Sequence, residues 1–290
     1  MTDQKAKGDK LMAEAEQQLT AGGGKCCGGG RVKVAEACEL YVKAANAFKM
    51  AKEWQSAGNA FSEAAHHELE EGRKTEAGMH YVEAAKCYKK VNPNDCEKSL
   101  IKASEVYADV GRGKTAAKQH LTLAELYDEQ GNVERARDEY QMAADMFSAE
   151  DLTSSTTKCM LNVALHSATL GDYARAEEIF ENQGEAALSN KLLKYTACEN
   201  YTKAGLCRLA SNPQDGEALI TKTHEWRESS PAFGDSREFG FLNKLAEAIK
   251  AEDLDAFNEA VRWYESVTRL GAWENELLKR IRKNVGPDLR

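Results

Sequence analysis

The stretch VYADVGRGKTAAKQHLTLAELYDEQGNVERARDEYQMAADMF (106–147) decides the fold. Gly111 and Gly131 lie 20 residues apart, each where an apolar helix end meets polar residues. Glycine just past a helix adopts the left-handed capping conformation at little steric cost. Beyond the second turn, Val133, Ala136, Tyr140, Ala143, Ala144 and Phe147 recur at steps of three and four, which places them on one helical face. Each unit therefore reads as a helix of roughly fifteen residues and a short turn.

Working outward, the same beat covers much of the chain. Ala44, Ala64, Ala84, Ala124, Ala144, Ala164 and Ala204 stand at multiples of 20 from Ala44, with Ser104 and Gly184 in two of the remaining slots. Gly171 continues the glycine series, and Glu71-Gly72, Asn92-Pro93-Asn94, Ala149-Glu150-Asp151, Asn212-Pro213 and Ser230-Pro231 supply further breaks. Tyr41, Tyr81 and Tyr201 keep a 40-residue period, with Leu121 and Leu161 between them, so two helices form the repeating pair. Alternating small and large residues let neighbouring helices interdigitate. Trp54, Ala57, Gly58 and Phe61 echo the W-x2-L-G-x2-Y pattern of tetratricopeptide repeats, with Gly78 and Tyr81 as a weaker copy. Strand-like alternation is absent. The expected fold is all-α: a tetratricopeptide-like solenoid of antiparallel helix pairs over 1–232, interrupted by a Gly/Cys loop at 21–31. From Phe233 the comb fades and aromatics rise, so 233–290 is expected to be a capping helical bundle and tail.

Composition narrows the function. Over 290 residues, 39 Lys and Arg against 47 Asp and Glu give a net charge of -8, which argues against bulk nucleic-acid binding. No run of 18 apolar residues occurs, so membrane contact is expected to be peripheral. Eight cysteines without a CxxC pair, behind the polar start MTDQKAKGDK, fit free thiols in a reducing cytoplasm.

Catalytic patterns are missing. GGGKCCGGG (22–30) has no strand before it and no Ser or Thr after its lysine, so it reads as a loop and not a phosphate cradle. His66 and His67 are adjacent and point about 100° apart on a helix, and no second histidine completes H-E-x-x-H. Ser99, Ser104 and His120 lack a G-x-S-x-G elbow. The expectation is a binding protein that carries no cofactor, not an enzyme.

Several stretches together resemble the soluble NSF attachment proteins of the α/β type. They are EACELYVKAANAFKMAKEW (36–54), AGNAF (57–61), AAKCYKK (84–90), VYADVGRGKTAAK (106–118), TTKC (156–159), LLKYTA (192–197), SPAFGDSRE (230–238) and DLR (288–290). Their order and spacing span the chain from about Lys33 to the C-terminus. The resemblance implies an adaptor that wraps the four-helix SNARE bundle and recruits and stimulates the AAA ATPase NSF, which pulls the bundle apart in vesicular transport. It implies SNARE contacts at Arg112, Lys118, Lys158, Leu192 and Tyr195, with a further basic family position occupied here by Asn162. It implies ATPase contacts at Glu247, with Glu252 and Asp253 just beyond a family acidic pair that falls on Lys250-Ala251, and stimulation through Leu289.

The loop between the first two helices departs from the family, whose apolar membrane loop often carries phenylalanine; here it has none. Lys25 and Arg31 are expected to touch anionic lipid, with Cys26 and Cys27 as candidates for reversible acylation against the simpler reading of an inert loop. A generic tetratricopeptide-like scaffold or co-chaperone and a divergent paralogue with weakened SNARE binding remain as alternatives.

Overall fold

The computed structural model describes residues 2–21, 29–189 and 193–285, all helices and connectors, with no strand among them. Chain contacts divide it into two compact units, Met1–Thr156 and Thr157–Arg290. The first holds α1 (Thr2–Ala21), α2 (Gly29–Ala51), α3 (Trp54–Glu70), α4 (Lys74–Tyr88), α5 (Pro93–Asp109), α6 (Gly113–Glu129) and α7 (Val133–Ala149), and α8 (Thr153–Thr169) crosses the division. The second continues with α9 (Tyr173–Leu188), α10 (Lys194–Ser211), α11 (Gly216–Ser229), α12 (Pro231–Gly234), α13 (Arg237–Lys250), α14 (Leu254–Glu265) and α15 (Ala272–Arg282). The segment expected to form a bundle, 233–290, lies wholly within the second unit.

Within the first unit each helix from α1 to α6 packs on its successor. The short connectors explain why. After α5, the N–H of Arg112 bonds back to the carbonyl of Tyr107 at 2.8 Å across Gly111, whose φ is 70°. The bond Asn132 to Tyr127 at 2.9 Å repeats this across Gly131, and Asp172 to Ser167 at 2.9 Å does so across Gly171. This six-to-one closure on a left-handed residue satisfies carbonyls that the helix end leaves free. The closing residue is also the N-cap of the next helix: Arg112 for α6, Asn132 for α7 and Asp172 for α9. A chain reversed so tightly brings consecutive helices side by side and antiparallel.

Three connectors make the same turn without glycine. Lys52, Asp151 and Glu252 hold φ of 62°, 56° and 54°, and the six-to-one bonds across them reach Phe48, Phe147 and Ala248. The Lys52 turn has no glycine or proline to announce it.

The alanine comb is a packing line. Ala44, Ala64, Ala84, Ala124, Ala144, Ala164 and Ala204 are fully buried, and Ser104 and Gly184 are buried with them. The tetratricopeptide-like glycines lie beneath aromatic rings. A methyl group at Gly58 would run into the Tyr88 ring, and one at Gly78 would meet Tyr107 at 3.0 Å. Tyr88 has little freedom to retreat, since its hydroxyl donates to Asn59 Oδ1 at 2.8 Å. Gly8 accepts Phe48 in the same manner.

The second unit is built on an aromatic core. Tyr201 stacks on Trp226 with ring centres 5.0 Å apart, and Phe233 meets both rings edge-on. The Trp226 Nε1–H donates to Glu181 at 3.0 Å, and Lys222 pairs with the same carboxylate at 2.6 Å. Phe241 stacks on Tyr264 at 4.2 Å. No described helix is long and apolar enough to cross a membrane.

Replacing Gly58 by alanine overpacks the Tyr88 contact and is expected to lower unfolding free energy by about 1–3 kcal/mol. Gly131→Ala, which meets open space but demands a left-handed alanine, is expected to lose about 1–2 kcal/mol. Urea unfolding of the two variants checks both values.

Candidate functional site

The α6 start is the most distinctive surface of the first unit. Arg112, Lys114 and Lys118 are exposed there and make no ion pair among the described residues. Several other cations of the unit find carboxylates, Lys49 with Glu83 at 3.2 Å, Lys89 with Glu129 at 2.8 Å, Arg135 with Glu97 at 3.2 Å and Lys74 with Asp109, whereas Lys7, Lys52, Lys90 and Lys102 share the unpaired state but do not cluster. Helix energetics do not favour such a cluster. The α6 first turn holds no acid, and cations near a helix N-terminus oppose its dipole. Lys114 and Lys118 are four residues apart on one face, a like-charge spacing that destabilises helices by about 0.2–0.5 kcal/mol. Arg112 gives α6 no side-chain cap.

Sequence reasoning missed Lys114, although it lies between two residues singled out by resemblance. Its signal was present in the spacing Arg112-x-Lys114-x-x-x-Lys118.

Of the remaining cationic positions, Lys158 is exposed on α8, and Asn162, one turn further, is half-buried. Tyr195 is 71% exposed at the start of α10, with the Lys194 ammonium 4.9 Å from its ring centre, and Leu193 beside it is 43% exposed. Leu192 lies outside the described residues. So large an exposed aromatic surface contributes nothing to the core and is available to a partner.

The acidic residues divide between two grooves in the second unit. Glu247 and Asp253 line a groove of about 560 Å³ between α13 and α14, together with Lys244, Glu259 and Trp263. Glu252 lines a smaller groove of about 240 Å³ with Asp215, Glu217 and Lys250. Asp253 also serves the fold. Its Oδ1 accepts the N–H groups of Asp255 at 2.9 Å and Ala256 at 2.8 Å, which caps α14. Lys250 pairs with Glu217 at 2.5 Å. Glu259 and Trp263 sit four apart on α14 and were missed by sequence reasoning, because that helix pattern looks the same for packing and for binding. Trp263 carries the Arg237 guanidinium 4.2 Å and the Lys244 ammonium 5.2 Å from its ring centre.

Lys25, Cys26, Cys27 and Leu289 lie outside the described residues, as does the side chain of Arg31 within α2. The six described cysteines are buried thiols outside any disulfide. Burial pushes the Cys38 and Cys96 thiols up to about 11, and raises Cys87, Cys198 and Cys207 as well. His120 Nδ1 lies 2.7 Å from Glu139, and His80 Nδ1 lies 2.7 Å from the buried Glu68; each pair ties two neighbouring helices. No cluster of three or more His, Cys, Asp or Glu among the described residues is arranged to hold a metal.

Thiolate, not thiol, is the reactive form, so these cysteines are expected to resist alkylation in the native protein near neutral pH. Peptide mapping after iodoacetamide treatment should find Cys38, Cys87, Cys96, Cys159, Cys198 and Cys207 unmodified until denaturant is added.

The sequence model of a family described as soluble NSF attachment protein matches residues 6–286. A Bos taurus protein named beta-soluble NSF attachment protein is 40% identical, over 96% of this chain and 94% of that protein. A Mus musculus alpha-soluble NSF attachment protein is also 40% identical, with the same coverage. A Schizosaccharomyces pombe protein named as a probable vesicular-fusion protein sec17 homolog is 29% identical, over 96% of both chains.

Proposed function

Since the chain belongs to the soluble NSF attachment protein family, we propose that it is a non-catalytic adaptor that binds assembled SNARE bundles and recruits and stimulates an NSF-type ATPase to take them apart. The observation that carries this reading is the exposed, unpaired cation pair Arg112 and Lys118 at the start of α6, in a chain of net charge -8. A four-helix rod with acidic outer faces offers those cations the carboxylates that the chain itself withholds. Such charges steer encounter and fix register, and their effect weakens as salt rises.

Lys158, Leu192 and Tyr195 supply further bundle contacts from the second unit. Asn162, half-buried and neutral, adds no charge to it. At the other surface, the α13–α14 groove faces the ATPase, with Glu247 supplying charge and Asp253 dividing its carboxylate between capping and contact. Leu289 stimulates the ATPase, and the protein works in the cytoplasm, peripheral to membranes through Lys25, Cys26, Cys27 and Arg31.

The test is a disassembly assay with SNARE bundle, NSF, ATP and this protein. Leu289→Ala is expected to bind the bundle while losing most ATPase stimulation. The double change Lys118→Glu with Lys158→Glu is expected to weaken bundle binding by tenfold or more, at about 1.4 kcal/mol per decade. Wild-type behaviour of both variants would remove these residues from their assigned roles.

A further inference from the structure

The α6 start holds a second feature besides its cations. Its first residue is Gly113, and the carboxylate of Glu150, from the C-terminal end of α7, lies against it. A Cβ at position 113 would collide with Glu150 Oε1, so a side chain there would make the carboxylate move. Gly113 is helical and needs no left-handed backbone, so conformation does not explain its presence. The neighbours on either side are Arg112 and Lys114, both exposed and without an ion-pair partner among the described residues. Glu150 is itself exposed and forms no ion pair there. A carboxylate therefore rests against the first residue of a helix whose flanking residues are two exposed cations, and it rests there on an exposed side chain that can leave.

We infer that Glu150 is an internal competitor for the partner's carboxylates, and that Lys114 is a further cation of the binding face. This inference rests on the proposed SNARE-bundle reading and deepens it. In the free protein Glu150 partly neutralises the α6 start. When an acidic helical rod arrives, its carboxylates take the place beside Arg112 and Lys114, and Glu150 swings into solvent. The exchange sets binding strength below what the cations alone would give, which keeps the adaptor releasable.

Two substitutions separate this from a simple charge effect. Glu150→Gln removes the competing charge. Gly113→Ala leaves every charge in place and evicts the carboxylate by its methyl group. The full chain is titrated with soluble SNARE bundle at low salt, read by fluorescence anisotropy. Each variant is expected to bind about threefold more tightly, the scale of one exposed charge interaction. The double variant should match the singles, since both remove the same occupant. Lys114→Glu is expected to weaken binding by about tenfold, and high salt should shrink all these differences.

Tightening by Glu150→Gln with unchanged or weaker binding by Gly113→Ala would overturn the competition, leaving only a long-range charge effect. Unchanged binding by Lys114→Glu would remove that residue from the face. If wild-type protein and every variant failed to bind the bundle, the functional reading would fall and take this inference with it.

Discussion

A left-handed residue followed by one backbone hydrogen bond sets every described reversal of the first unit except the one before Pro93, and it recurs in the second. At Gly111, Gly131 and Gly171 the chain leaves a helix, and its next N–H closes six-to-one onto the helix just ended. That same residue begins the following helix. The connector is thereby held at a fixed short length, the helices lie antiparallel, and their buried stripes stay in phase. The 20-residue beat in the sequence is the visible trace of this constraint.

Packing follows from the fixed reversal. With helix axes forced close, small residues must occupy the line of nearest approach, and the alanine comb does so at full burial. Large rings fill the space between, as Tyr88 does over Gly58 and Tyr107 over Gly78. In the second unit aromatic mass joins the alanine line, with Tyr201, Trp226 and Phe233 packed as one cluster beside buried Ala164 and Ala204. The tightness also isolates chemistry: thiols at Cys38 and Cys96 are driven away from the reactive thiolate by burial. What remains at the surface is charge and a few bare side chains such as Tyr195.

Much of this was legible from the residues. Glycine after an apolar helix end announced its turn, and alanine spacing announced the packing line, because both depend on side-chain size at a single position. The turns at Lys52 and Glu252 were not legible. Each places an ordinary side chain in a region that glycine favours, and the surrounding helices hold it there against its local preference. The surfaces were legible in a different way. Arg112 and Lys118 were picked out by resemblance, and their exposure without carboxylate partners is a fact of the folded chain. Glu150 escaped because its approach to Gly113, where α6 and α7 meet, is a tertiary event. Asp253 carried two meanings at once: an acid beside a family acidic position, and an N-cap for α14.

Because the residue that closes one helix also opens the next, connector length is quantised. Inserting a single amino acid at Gly131 would break the bond from Asn132 to Tyr127 and rotate the apolar stripe of α7 by about 100° away from its neighbour. Insertions or deletions of that kind are therefore selected against at these turns.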